Sequence, residues 1–211
     1  TASAPMEQKT KVSAIVPVHN GERELPDLIA ALRAVEYPAE LFEVILVDNA
    51  SSDETRAILE RIGHDVRISA NDTNTGFAAA QNQGMKQARG NWLLSLNPDV
   101  ILNPDFISKL VAAGEANPHV GAVCGKLLRW RPGQAEERTR VIDSTGVYFL
   151  RNLRHMDRGS DEIDRGQYEL PEYVIGATGA AALYRRKMIE DASVNGEFFD
   201  EDFFAYREDA D

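Results

Sequence analysis

The run Trp92-Leu93-Leu94-Ser95-Leu96 passes directly into Asn97-Pro98-Asp99. An apolar run of this kind reads as a buried strand, and the turn residues after it set a carboxylate at the rim of the sheet. A carboxylate in that place can hold a divalent cation against a phosphate, because hard cations take oxygen ligands and bridge to diphosphates. Alone, Asn-Pro-Asp is ordinary turn chemistry. Two more apolar runs end the same way, however. Val12 to Val18 is followed by His19-Asn20-Gly21, and Val44 to Val47 by Asp48-Asn49. Polar residues that repeatedly close apolar runs suggest a ligand site built along one edge.

The elements that must position these residues alternate with a regular rhythm. Leu25, Leu28, Ile29 and Leu32 recur at helical spacing behind Pro26, as in a helix whose first turn carries proline. Ser51 and Glu54 predict a capping box for a helix carrying Ile58, Leu59 and Ile62 and stopping near Gly63. Asp53 reads as a helix-start acid favoured by the dipole. Val66 and Ile68 suggest a short strand, Phe77 to Ala88 a helix ended by Gly90, and Trp92 to Leu96 the next strand. Asn103-Pro104-Asp105 predicts N-cap, first-turn proline and first-turn acid for a helix to about Ala116. Strand and helix units in this order imply a largely parallel sheet covered on both faces. In such sheets ligands lie beyond the carboxyl ends of the strands.

After Val120 to Cys124 the rhythm breaks. Arg129 to Glu172 is dense in charge and glycine and reads either as a β-ribbon insertion or as a mobile lid. A strand signal returns at Ala180 to Tyr184, and Arg185-Arg186-Lys187 reads as a solvated helix start.

The 211 residues suffice for one α/β domain. A formal net charge of −11 argues against a nucleic-acid partner, since phosphate backbones require a basic surface. Cys124 is the only cysteine, so no intramolecular disulfide or cysteine-rich metal site forms, and it reads as a small core residue. His64, His119 and His155 lack ligand spacing. The loop after the first strand is Pro17-Val18-His19-Asn20-Gly21-Glu22 rather than G-x-G-x-x-G, and neither a P-loop nor a G-x-S-x-G elbow occurs. Thr1 to Lys11 is polar and expected to fray. No apolar run reaches membrane-spanning length and no signal-peptide pattern opens the chain, so the expected location is cytoplasmic, with peripheral contact at the inner face of a membrane.

Taken in order, Val12-Ser13-Ala14-Ile15-Val16-Pro17-Val18-His19-Asn20, Val47 to Asp53, Asn74 to Gly84, Leu96 to Asp99, and the ending Phe199-Asp200-Glu201 with Tyr206 to Asp211 resemble the family 2 glycosyltransferases of the GT-A fold. The resemblance implies a mostly parallel, Rossmann-like α/β sheet flanked by helices with a smaller acceptor-side subdomain. Residues 11–125 would form the nucleotide-sugar half and 126–211 the acceptor half of a single domain, without the C-terminal helices in which resembling enzymes continue. It further implies that Pro17, His19, Asn20, Glu22, Asp48, Asn49, Asn74 and Gly76 border or contact the nucleotide. Asn82, in the same stretch, is a weaker candidate for nucleotide contact, since a helical amide can also simply cap or pair locally. Asp99 matches the last acid of the family's D-x-D motif and is the expected ligand to Mg²⁺ or Mn²⁺, while Asn97 departs from the first acid. Asp209 is the implied base, with Glu208 as its orienting partner. Gly176, Thr178 and Gly179 match the small-residue segment below the acceptor.

The implied activity is an inverting, metal-dependent transfer of a hexose-type sugar from a nucleoside-diphosphate donor to a glycan or polyprenyl-linked acceptor in cell-surface polysaccharide assembly. A narrower likeness, to bacterial rhamnosyltransferases, implies dTDP-L-rhamnose as the donor. A nucleotide-sugar binding module without turnover is the contrasting expectation.

Overall fold

The apolar run at the start of the chain forms β1 (Val12–Val18), every residue of which is buried. In the computed structural model, residues 10–63, 66–130, 140–152 and 154–205 are described. The chain continues through α1 (Leu25–Arg33), β2 (Phe42–Asn49), α2 (Thr55–Arg61), β3 (Val66–Asn71), α3 (Gly76–Gln87), β4 (Trp92–Leu96) and α4 (Phe106–Glu115). Five short strands follow before the last long one: β5 (Ala122–Cys124), β6 (Leu127–Leu128), β7 (Ile142–Ser144), β8 (Val147–Phe149) and β9 (His155–Asp157). β10 (Ala181–Arg185) and α5 (Arg186–Ala192) complete the order, and a 3-10 turn spans Glu201–Phe203.

The central sheet has six strands in the order β3-β2-β1-β4-β10-β5. β3, β2, β1 and β4 are parallel, and β10 runs antiparallel between β4 and β5. Helices cover both faces, so the central strands β1 and β4 are largely apolar, and the period-two alternation of side chains divides them between two cores. Val12, Ala14, Val16 and Val18 face the core shared with α1 and α4, whereas Ile15 faces the one shared with α3. Trp92, Leu94 and Leu96 against Leu93 repeat the division on β4. Each buried Leu or Ile contributes about 1.5–3 kcal/mol. Helix α3 sits close to β1 because its inward residues are small; a Cβ on Gly84 would come within 2.3 Å of Ile15 Cγ2.

Helix starts differ from the sequence expectation. α2 begins at Thr55 rather than as a capping box on Ser51, because the Ser51 hydroxyl accepts from the Asn20 backbone N–H instead. α4 begins at Phe106, with Asp105 at its N-cap and Asn103-Pro104 in the turn before it. The charge-dense stretch is a β-ribbon: β6 pairs with β7 and β8 with β9, both antiparallel. Arg185 and Arg186 are not solvated. The Arg185 guanidinium lies over the Trp92 ring and donates to the Val120 and Gly114 carbonyls; Arg186 donates to Gly90 and Ala88. Lys187 alone keeps the expected exposure, in an ion pair with Asp191. Cys124 packs against the α3-side core, and burial pushes its thiol up from the ordinary value, which suits a packing residue rather than a nucleophile. Among the described residues no helix is long and apolar enough to cross a membrane.

At the edge of the sheet opposite the strand carboxyl ends, Glu43 ties three segments together. Its Oε1 accepts from the Ser13 hydroxyl and the Arg89 N–H, and its Oε2 from Arg67. Burial alone would raise its pKa, but these donors, with Lys11, hold the carboxyl below its ordinary range. A depressed carboxylate contributes stability above its unfolded pKa, and the contribution is lost as pH falls through the folded value. Glu43→Gln is therefore expected to lower the melting temperature at pH 7 but to bring it closer to wild type as pH falls below about 4. Melting curves of both proteins across pH 3–8 test this; a gap that does not narrow in acid contradicts it.

Candidate functional site

Strand order reverses at β1 and β4: the chain proceeds outward to β3 on one side and to β4 on the other. Crevices form at such switch points beyond the strand carboxyl ends. Here the crevice is a cavity of about 990 Å³ lined by the ends of β1, β2 and β4 and by the β-ribbon. Because β10 is antiparallel to β4, its incoming residues Thr178, Gly179 and Ala180 reach the same rim.

The loops after β1 and β2 are stitched together. Asn20, in a left-handed conformation (φ 54°), accepts from Ser52 N–H through Oδ1 and donates its own N–H to Ser51. Gly21 N–H donates to Thr55 Oγ1, Glu22 N–H to Asp53 Oδ2, and Glu54 N–H to Glu22 Oε2. Asp53 thus serves two loops. Burial would raise its pKa, yet the Thr55 and Glu22 donors hold the carboxyl below its ordinary range. The His19 ring donates from Nδ1 to the Asn49 carbonyl, 2.9 Å away, which leaves Nε2 to accept from Asn20 Nδ2.

Asn49 is the hub of the cavity wall formed by the ends of β1 and β2 and the start of α3. It is 3% exposed; its Nδ2 donates to Asn74 Oδ1 and to the Gly76 carbonyl, and its Oδ1 accepts from Asn71 and Thr75. This network aims the start of α3 at the cavity. Gly76 has φ 84°, and a Cβ there would meet the Phe204 carbonyl oxygen at 2.5 Å. That carbonyl accepts from Phe77 N–H (2.6 Å) and Ala78 N–H (3.3 Å). Phe204 pays for this contact with a left-handed backbone (φ 60°), which costs a non-glycine residue about 1–3 kcal/mol. Asn82 is no local pairing residue: 2% exposed, it accepts from Phe199 N–H and donates to the Phe199 carbonyl and to Glu201, more than a hundred residues along the chain. α3 therefore fixes the path of residues 198–205, and Phe204 and Ala205 line the cavity.

The Asp99 carboxylate is exposed in the cavity and makes no hydrogen bond or ion pair among the described residues. Asn97 stands beside it, anchored through its N–H to the Ala180 carbonyl. Asp143 and Asp157 also line the cavity, together with Glu24, while no Lys or Arg does so among the described residues. A diphosphate entering this space meets carboxylates and, among the described residues, no side-chain cation. A divalent ion shared between ligand and protein resolves that conflict, since Mg²⁺ and Mn²⁺ take one or two carboxylates and fill their shells with water and phosphate oxygens. The donor set fits such a shared ion. It does not fit a site made by protein alone, because no group of three or more His, Cys, Asp or Glu is arranged to hold a metal among the described residues.

Of the residues expected at the nucleotide, Pro17, His19, Asn20, Asn49, Asn74 and Gly76 line the cavity. Asp48 and Glu22 do not. Asp48 is 1% exposed, with one oxygen accepting from Ser51 N–H and the other in a 2.7 Å ion pair with Arg56. Its carboxylate braces the loop behind the wall rather than facing into the cavity. Glu22 is committed to Glu54 N–H. Of the residues expected below the acceptor, Thr178 and Gly179 line the cavity, whereas Gly176 pairs with Val147 across the ribbon. Glu208 and Asp209 lie outside the described residues. Sequence reasoning missed Asp143, His155 and Asp157, which the β-ribbon carries into the cavity. His155 gets there by strand pairing, for which ligand spacing along the chain gives no signal.

The sequence model of glycosyl transferase family 2 matches residues 13–192. Over 203 residues the chain is 32% identical to the O-antigen biosynthesis protein RfbC of Myxococcus xanthus, a match covering 94% of this chain and 15% of that protein. The chain spans less than half the length of the curated relatives it matches. Among solved structures it resembles Staphylococcus aureus TarS 1–349 in complex with UDP, with a TM-score of 0.64 and 22% identity over 94% of this chain and 53% of that one. It also resembles the mannosyltransferase PcManGT from Pyrobaculum calidifontis in complex with GDP-Man and Mn²⁺, with a TM-score of 0.63 and 21% identity over 93% of this chain and 49% of that one. At these identities the likeness establishes the GT-A type of fold.

Proposed function

The chain belongs to glycosyl transferase family 2, and from that premise we propose that it moves a sugar from a nucleoside-diphosphate donor to a glycan or lipid-linked acceptor with inversion. The observation that carries this reading is the cavity at the switch point, where the unpaired Asp99 carboxylate faces a space lined by acids. The donor nucleoside lies against the wall built by His19, Asn49, Asn74 and Gly76, and its diphosphate points toward Asp99. Asn97 and Asp99 would hold Mg²⁺ or Mn²⁺ there, which offsets charge on the departing nucleoside diphosphate. The acceptor hydroxyl oxygen attacks the anomeric carbon from the opposite side. As the new C–O bond forms, the bond to the diphosphate breaks and its electron pair leaves with the nucleotide. Asp209 takes the hydroxyl proton, and Glu208 orients it. The Asn-Pro-Asp form with the Phe199-Asp200-Glu201 ending supports dTDP-L-rhamnose as the donor and cell-surface polysaccharide as the product. A polyprenyl-linked acceptor would bring the domain to the inner face of a membrane.

A thermal-shift panel of dTDP-, UDP- and GDP-sugars, each with and without Mn²⁺, tests the donor class. One nucleotide at about 100 times its Kd is expected to add about 2.7 kcal/mol, a rise of roughly 5–10 °C, only when Mn²⁺ is present. No shift with any of them overturns the reading.

A further inference from the structure

A second cleft, of about 480 Å³, opens on the far side of Asp99 from the nucleotide wall. The β4–α4 loop forms one side of it and β6 with the residues that follow forms the other. It shares Asn97, Asp99, Asp143 and Ala180 with the first cavity, so the two spaces meet at the carboxylate. Its size lies in the ordinary range for small-molecule sites, about 300–1,000 Å³.

The cleft's charge decides what class of molecule it takes. Two cations line it, and both are committed. Lys126 is paired with Asp164 at 2.8 Å and with Glu169 at 2.5 Å; Arg129 is paired with Asp161 at 2.5 Å and with Asp143 at 3.4 Å. The Lys126 ammonium holds the Asp164 carboxyl below its ordinary range. An anionic occupant would have to displace these carboxylates and then sit beside Asp99. The remaining lining supplies apolar surface from Trp130, Phe106 and Leu128, with polar groups at Asn103 and Asp143. That combination matches a neutral sugar ring, which offers apolar C–H faces and hydroxyl edges.

We infer that this cleft is a subsite for a neutral glycan, holding the sugar units behind the attacking one, with Trp130 as the platform on which a ring stacks. The inference rests on the glycosyltransferase reading, because it is the transfer centre at Asp99 that makes the cleft's occupant an acceptor. It assigns the cleft to the glycan and away from a lipid diphosphate.

The protein has two tryptophans, and Trp92 is fully buried, so a ligand-dependent change in fluorescence reports on Trp130. Wild type, Trp130→Ala and Trp130→Phe are applied to an array of neutral and anionic bacterial glycans. Captured neutral oligosaccharides are then titrated by fluorescence on wild type and by calorimetry on all three proteins, with UDP, dTDP and GDP thermal shifts in Mn²⁺ as the control. Wild type is expected to hold neutral glycans, Trp130→Ala to bind them roughly tenfold more weakly, and Trp130→Phe to retain most of the affinity. Nucleotide shifts should match in all three proteins, which also shows that the variants fold. If nucleotide binds but no neutral glycan is captured, or Trp130→Ala captures it equally, the subsite is refuted and the donor reading stands. Preferential capture of vesicles carrying undecaprenyl phosphate refutes the neutral class. If no nucleotide shifts wild type, it is the donor reading that fails.

Discussion

Replacing Asp99 with alanine is expected to lower sugar transfer by on the order of 10²–10³-fold while leaving the fold unchanged. The fold survives because the carboxylate is exposed and unpaired among the described residues, so its removal leaves no buried partner behind. Activity falls because the cavity offers no lysine or arginine to the diphosphate among those residues, and Asp99 is the exposed acid at the strand end. Asp99→Asn should behave almost as badly, since it leaves a pair of neutral amides. Asn97→Asp should act in the opposite sense and lower the Mn²⁺ concentration that half-saturates transfer. Rates measured against Mn²⁺ in the three variants, with melting temperature as the fold control, check the set. Full activity of wild type in excess chelator, or of Asp99→Ala at any metal level, would remove the ion from the mechanism.

The parts of this site that were legible in the sequence are those set by local order. β1 and β4 begin and end where their apolar runs do, because strands covered on both faces have no polar alternation to blur their limits. Their carboxyl ends fall on one rim because consecutive right-handed crossovers leave no other arrangement. What could not be read depends on partners distant in sequence. Asp48 looks like a rim carboxylate from its position after Val47, but Arg56 and the Ser51 N–H hold it inside the loop. Ser51 fits a capping box, but Asn20 claims its hydroxyl. Asn82 resembles a helical amide pairing with its own turn, and instead it grips a strap more than a hundred residues away. Asp143, His155 and Asp157 come to the cavity on hairpins whose pairing no periodicity announces. The family resemblance succeeded because ordered motifs report on the sheet edge. Asp48 and Glu22 do not line the cavity, because their oxygens are already taken by Ser51 N–H, Arg56 and Glu54 N–H, and a motif does not reveal which oxygen is taken.

The same long-range wiring bears on the base. Asp209→Asn is expected to cut transfer by about 10³-fold or more while leaving nucleotide-dependent thermal stabilisation near that of wild type. The substitution keeps the side chain's shape and removes its ability to accept the proton, so it separates chemistry from binding. Reach supports the assignment. Ala205 lines the cavity four residues before Asp209, and four residues of chain reach at most about 14 Å, a span that allows the role. The strap does not wander either, since Asn82 fixes Phe199 and Glu201 and the Phe204 carbonyl is held by the start of α3. The cavity wall at Gly76 and the path of residues 198–205 are therefore fixed by one helix, and the Phe204 turn, five residues before Asp209, is held at its Gly76 end. Rate and thermal shift must be measured on the same preparation. Turnover retained in Asp209→Asn moves the proton to another acid, with Asp143 and Asp157 next in line by position, whereas equal loss of nucleotide binding makes Asp209 part of the donor wall.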